Sequence, residues 1–160
     1  MSLSVQLRTP TVVDAPALVS LLTELGYSVP EATVLTNIEN LANTATDRAW
    51  VAESTSGIVG FISVHLIPLF HAPGYLGRIT SLIVRSNARG NGVGGTLMHQ
   101  AQDFCWGSDC ERIELTSGDH REQAHHFYEQ LGFQVQSRRF VKHGAPPNNS
   151  SRDFPSSPGK

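Results

Sequence analysis

The chain reads as an α+β protein, with one mixed sheet and helices on its faces. Three observations predict it. Runs with strand character cluster in the middle of the chain, at Arg48–Glu53, Ile58–Leu66 and Arg78–Val84. Apolar stripes at helical spacing stand before and after them. A glycine-rich turn then joins the third run to a long amphipathic helix.

Taken in order, Ser4–Arg8 alternates apolar and polar residues, as a half-buried strand does. Asp14 with Pro16 marks a helix start, and Ala17, Leu18, Leu21, Leu22 and Leu25 form its stripe up to Gly26. Ser28 and Glu31 have the spacing of a capping box, with Pro30 in the first turn. Val34, Leu35, Ile38 and Leu41 continue that second helix. Arg48–Glu53 and Ile58–Leu66 form a hairpin across Ser-Thr-Ser-Gly. Pro68–Gly77 is a loop carrying Phe70, His71 and Tyr75. Arg78–Val84 turns apolar on both parities towards its end, the mark of a central strand. Val93, Leu97, Met98, Ala101, Phe104 and Cys105 line one face of the helix that follows. Arg112–Thr116 is a strand. Asp119 with Glu122 starts a last helix, whose stripe of Ala124, Phe127, Tyr128 and Leu131 closes at Gly132. Phe133–Lys142 is a final strand. Residues 144–160, rich in Pro, Ser, Asn and Gly, are expected to be a disordered tail after a single domain of residues 1–143.

At 160 residues the chain suits one domain with a core of its own. A net charge of −2 offers neither a basic nucleic-acid footprint nor a polybasic membrane signal. MSLSVQLRTP lacks the apolar core of a secretory signal. The most apolar window, Ile58–Leu69, is too short to span a bilayer. Cys105 and Cys110 fit no disulfide framework or zinc spacing, and a cytoplasmic, reduced location is expected. Of the histidines, His120, His125 and His126 cluster, but without metal-ligand spacing, so no metal is expected.

The chemistry is concentrated in LIVRSNARGNGVGGTLM, Leu82–Met98. Arg89, Gly90, Gly92, Gly94 and Gly95 fall where the helix must begin. Unpaired amides and the dipole at a helix N-terminus attract an anion, missing side chains admit it, and Arg89 adds a cation. A pyrophosphate suits such a cradle. Glycines that only turned the chain would not need to be so many. No Gly-Lys-Ser/Thr is present for a Walker loop. Gly90, Gly92 and Gly95 match a dinucleotide fingerprint, with Glu111 or Glu114 about 20 residues on. Against it, the polar turn Arg85–Arg89 separates strand from glycines, and the motif comes halfway along the chain. Arg89, Gly92 and Gly94 also satisfy Arg-x-x-Gly-x-Gly.

RGNGVGGTLM (Arg89–Met98) resembles the acyl-CoA pyrophosphate loop of the GNAT N-acetyltransferase superfamily. AHHFYEQLGF (Ala124–Phe133) resembles that superfamily's second motif, a helix ending in Tyr-x-x-x-Gly-Phe. With the order of elements, the resemblance covers roughly residues 4–142. It implies a six- to seven-stranded sheet splayed between Arg78–Val84 and Arg112–Thr116, with acetyl-CoA entering the gap. It also implies that backbone amides of Arg89, Gly90, Asn91, Gly92, Val93, Gly94 and Gly95 hold the pyrophosphate. Leu82, Ile83 and Val84 would pair with the pantetheine arm. The Leu82 amide would polarise the thioester carbonyl, and Tyr128 would be the general acid.

The residue types suit that chemistry. A preplaced N–H stabilises the oxyanion formed when an amine attacks a thioester, and a phenol can protonate the departing thiolate. Direct transfer without a covalent enzyme intermediate is expected. The sequence departs from the family in two places. Arg78 stands where some members place a glutamate base, and Arg121 where many carry an asparagine. The base is therefore open among a water chain, Glu24, His65, His71 and His120. Tyr27, Ser28, Phe70, His71 and Tyr75 are expected to line the acceptor pocket. The expected function is acetyl transfer to a primary amine of a small molecule or peptide, and the alternative is a non-catalytic acyl-CoA-binding module. Expected partners are acetyl-CoA, the amine and, among macromolecules, a second copy of the chain in a homodimer.

Overall fold

The computed structural model describes residues 2–117 and 121–145. They fall into two compact units, the first ending at Leu115 and the second starting at Thr116. The first holds a five-stranded sheet in sequential order: β1 (Gln6–Arg8), β2 (Asp47–Ser54), β3 (Gly57–Pro68), β4 (Tyr75–Val84) and β5 (Cys110–Leu115). Neighbours pair antiparallel except β4 and β5, which run parallel. α1 (Ala15–Glu24) and α2 (Glu31–Leu41) lie between β1 and β2 in the chain, and α3 (Val93–Gly107) provides the crossover from β4 to β5. The second unit is built on α4 (Glu122–Gln130).

The two faces of the sheet have different partners. On one, Val51, Ile58 and Ile83 bury against Ala15, Leu18 and Leu21 of α1 and Val34 and Ile38 of α2. On the other, α3 buries Leu97, Met98, Ala101 and Cys105, with Leu97 and Met98 contributing about 2 kcal/mol each. Glycines in the sheet allow this closeness: a Cβ at Gly60 would stand 2.9 Å from Leu97 Cδ1, and one at Gly77 2.5 Å from Cys105 Sγ. Trp50 meets Phe104 edge-on at 5.9 Å, with Arg48 over the same ring. Burial pushes the Cys105 thiol up to about 12 and raises Cys110 as well.

Several expectations are corrected. Five strands are present among the described residues, not six or seven. Phe133–Lys142 forms no strand and joins no sheet. Val135 and Phe140 are exposed, and Ser137 takes a left-handed φ of +59°, which interrupts a strand. Tyr75 belongs to β4, opposite Pro68 and Cys110, so the loop is shorter than predicted. The Ser28–Glu31 box does not form. Pro30 is itself the extended N-cap of α2, and its ring biases Val29 away from helix. The Asp14 carboxylate does not cap α1; it accepts from the Thr11 amide at 2.7 Å and from Arg8 at 2.7 and 2.9 Å. Asp119 and His120, and the tail from 146, lie outside the described residues.

Candidate active site

β4 outlasts its neighbour. Its pairing with β5 runs from Tyr75↔Cys110 to Ile79↔Leu115 and stops there, while pairing with β3 continues to Val84. Among the described residues, Thr80–Val84 therefore has no partner strand on the β5 side. Leu82, Ile83 and Val84 lie on this free edge, which begins where β5 ends at Leu115. An extended ligand with amide groups can add to such an edge as a further strand does.

The edge leads directly into the glycine turn. Arg85 pins its start: its amide donates to Val59 O at 2.8 Å and its Nε to Ile58 O at 3.2 Å. A short 3₁₀ turn, Ser86–Ala88, follows. Arg89 Nε donates back to Val84 O at 3.1 Å, and its side chain is otherwise exposed. Asn91 Nδ2 donates to the carbonyls of Ala88 and Arg89, both at 3.1 Å, fixing the loop from inside. Gly90 and Gly92 have φ of +78° and +83°, a region that residues with a Cβ rarely enter. Gly92 is the N-cap of α3 and supplies no side-chain cap. The Thr96 amide returns to Gly92 O at 3.1 Å, which leaves the Val93, Gly94 and Gly95 amides without an intrahelical acceptor. A Cβ at Gly90, Gly92 or Gly95 would meet nothing within 4 Å. Packing within the chain therefore does not demand glycine at Gly95. Open space beside uncapped amides and a guanidinium fits a pyrophosphate, so the residues present suit the coenzyme A that the resemblance implies.

Tyr128 sits on α4 in the second unit. Its ring meets Phe133 at 6.1 Å and Phe127 at 5.4 Å, both edge-on. The Phe133 amide donates to Tyr128 O at 3.0 Å across Gly132, whose φ is +90°. This explains the Gly-Phe after the tyrosine: the glycine permits the turn and the phenylalanine folds back on the ring. Burial raises the Tyr128 pKa, with the Arg121 charge opposing, so the phenol keeps its proton at neutral pH.

Of the candidate bases, Glu24 accepts from Ser86 Oγ at 3.1 Å and His71 is exposed, as is the acceptor-pocket candidate Phe70. Among the described candidates, His65 is the one in a network of several polar side chains. Its Nδ1 lies 3.0 Å from Asp47 Oδ1 and its Nε2 2.8 Å from Thr80 Oγ1, which is 2.8 Å from Ser63 Oγ. Reading the sequence singled out only His65 of these four. Asp47 and Thr80 stand 18 and 15 positions from it, on other strands, and only strand register brings them together.

The model of the Acetyltransferase (GNAT) family matches residues 16–133. An aminoalkylphosphonate N-acetyltransferase of Salmonella typhimurium is 32% identical over 85 residues, 53% of this chain and 55% of the relative. The match thus spans about half the length of that relative. Among solved structures, a Bacillus halodurans C-125 transcriptional regulator superposes with a TM-score of 0.79 at 24% identity, covering 88% of this chain and all of the other. A glucosamine-6-phosphate N-acetyltransferase from Arabidopsis thaliana gives 0.77 at 22% identity, covering 88% and 98%. At those identities the two structures speak for the fold.

Proposed function

The chain belongs to the GNAT acetyltransferase family, and on that premise we propose that it transfers the acetyl group of acetyl-CoA to the primary amine of a small molecule. The observation that carries the reading is the continuous run from the unpartnered edge Thr80–Val84 into the uncapped, glycine-lined N-terminus of α3. It offers an extended amide edge followed at once by an anion cradle. Coenzyme A has that order of groups, an amide-bearing arm and then a pyrophosphate.

In this reading the amides from Arg89 to Gly95, with the Arg89 guanidinium, hold the pyrophosphate. The backbone of Leu82, Ile83 and Val84 orients the pantetheine arm. The bound thioester supplies an activated acetyl group, and the Leu82 amide donates to its carbonyl oxygen, where negative charge develops under amine attack. The Tyr128 phenol, protonated at neutral pH, gives its proton to the departing sulfur. Holding acyl donor and amine together removes much of the entropic barrier, so direct transfer suffices. Two free thiols accord with a cytoplasmic location.

The relative from Salmonella makes an aminoalkylphosphonate the first acceptor to try, followed by a panel of other primary amines. Thiol release that depends on both acetyl-CoA and amine is expected. Calorimetric binding of acetyl-CoA with no release across the panel would instead favour a binding module, and absence of binding would overturn the cradle. Gly92→Glu puts a carboxylate beside the free amides and should abolish binding. Gly92→Asn, which tolerates the left-handed conformation, should retain most of it.

A further inference from the structure

We propose that Asp47, His65 and Thr80 form a proton relay, with Ser63 as its anchor, that takes the proton from the attacking amine. This rests on the acetyl-transfer reading above and supplies the base which that reading lacks.

The sheet creates the relay through a bulge. Ser63 opposes Ser81 while the adjacent Val64 opposes Ile79, so Thr80 is an extra residue on β4. Val64 and Ile79 turn to the α3 face and are buried; His65 and Arg78, the next pair, turn to the other. The bulge puts Thr80 and Ser81 in succession on that second face, and Leu82 returns to the first. Asp47 of β2 lies directly opposite His65 and shares its face. Three strands thus contribute one polar group each to a continuous chain, with Ser63 beside it. Arg78, also opposite His65, is engaged by Glu114 of β5 at 3.5 Å.

The donors can be assigned in order. An ionised carboxylate only accepts, so His65 Nδ1 carries a hydrogen towards Asp47 Oδ1. Nε2 then presents its lone pair, and Thr80 Oγ1–H donates to it. Ser63 Oγ–H donates to Thr80 Oγ1. This arrangement of hydroxyl, imidazole and orienting carboxylate polarises the hydroxyl and stabilises an imidazolium. Thr80 is exposed and stands two residues before Leu82, so its hydroxyl lies about 7 Å along the strand from the amide assigned to the thioester carbonyl. An amine nitrogen spans that gap, roughly 3 Å from the carbonyl carbon and roughly 3 Å from Thr80 Oγ1.

As the C–N bond forms, one proton leaves the amine nitrogen for Thr80 Oγ1, and the hydroxyl's own proton passes to His65 Nε2. Asp47 balances the imidazolium. The C–S electron pair departs with sulfur, which takes a proton from the acid. No bond to Thr80 carbon or oxygen is made beyond the exchanged proton. At the end of the cycle the relay hands its proton to water and the acid takes one back from water, so no net proton is gained or lost.

Two measurements test this. In the protein without acetyl-CoA, nitrogen-15 NMR should find His65 as the Nδ1–H tautomer, and Asp47→Asn should redistribute it. With acetyl-CoA and the best amine of the panel, His65→Gln and Thr80→Val should lower kcat about 10²-fold or more, with the acetyl-CoA KM within about twofold. Thr80→Ser should recover most of the loss. An Nε2–H tautomer in the wild type, or unchanged kcat in both His65→Gln and Thr80→Val, would overturn the relay and leave acetyl transfer standing. Acetyl-Thr80 in acid-quenched protein would overturn it in favour of a covalent route. No turnover of any amine would overturn the acetyl-transfer reading, and the relay's role with it.

Discussion

Burial raises the Tyr128 pKa more than the Arg121 charge lowers it, so the phenol keeps its proton. Its proposed task follows from that protonation state. Tyr128→Phe preserves the ring packing on Phe133 and removes only the hydroxyl, so kcat should fall about 10²-fold while calorimetry finds acetyl-CoA affinity within about twofold. An unchanged rate would remove the acid role. Cys105 is the opposite case. With its thiol pushed up to about 12, only ~10⁻⁴ of it is thiolate at pH 8, and iodoacetamide should leave it unmodified in the native chain. Rapid alkylation would contradict its burial against Gly77. At this scale the sequence shows residues inside local motifs, such as Tyr128 and Gly92. It cannot show Asp47 beside His65, because that pairing is a property of register.

Among the elements, the start of α1 is held by charge. Asp14 is 7% exposed and receives two bonds from Arg8 and one from the Thr11 amide, so its pKa is lowered, first by Arg8. Arg8→Met strands that carboxylate and should cost roughly 3 kcal/mol in urea unfolding at pH 7. The sign with pH follows from the lowered folded value. Asp14 contributes fully above its unfolded value of about 4, and the contribution is lost as pH falls through the folded value below it. The gap between wild type and Arg8→Met should therefore narrow at pH 3, and a gap that widened would refute the assignment. Elements with a strong local signal, α1, α3 and the β2–β3 hairpin, are legible in sequence to within a few residues. The final strand is not. Phe133, Val135, Phe140 and Val141 suit a strand, but a strand exists only when a neighbour satisfies its backbone groups.

For the whole molecule, a ligand that binds only the folded chain must stabilise it. Acetyl-CoA at about 100 times its Kd should add about 2.7 kcal/mol, raising Tm by roughly 5–10 °C, and NADH should not. The reverse result would return the glycine turn to the dinucleotide reading. What the sequence by itself determined is what short-range chemistry encodes: the α+β order of elements, the helix stripes, the glycine-rich turn at residues 89–95 and the tyrosine before its Gly-Phe. Each depends on residues within a few positions of one another. The tertiary structure alone decided where β5 leaves β4, how a bulge turns Thr80 and Ser81 to one face, and which carboxylate meets His65. Those outcomes depend on strand register between distant segments, which packing of the whole sheet selects and no local pattern contains.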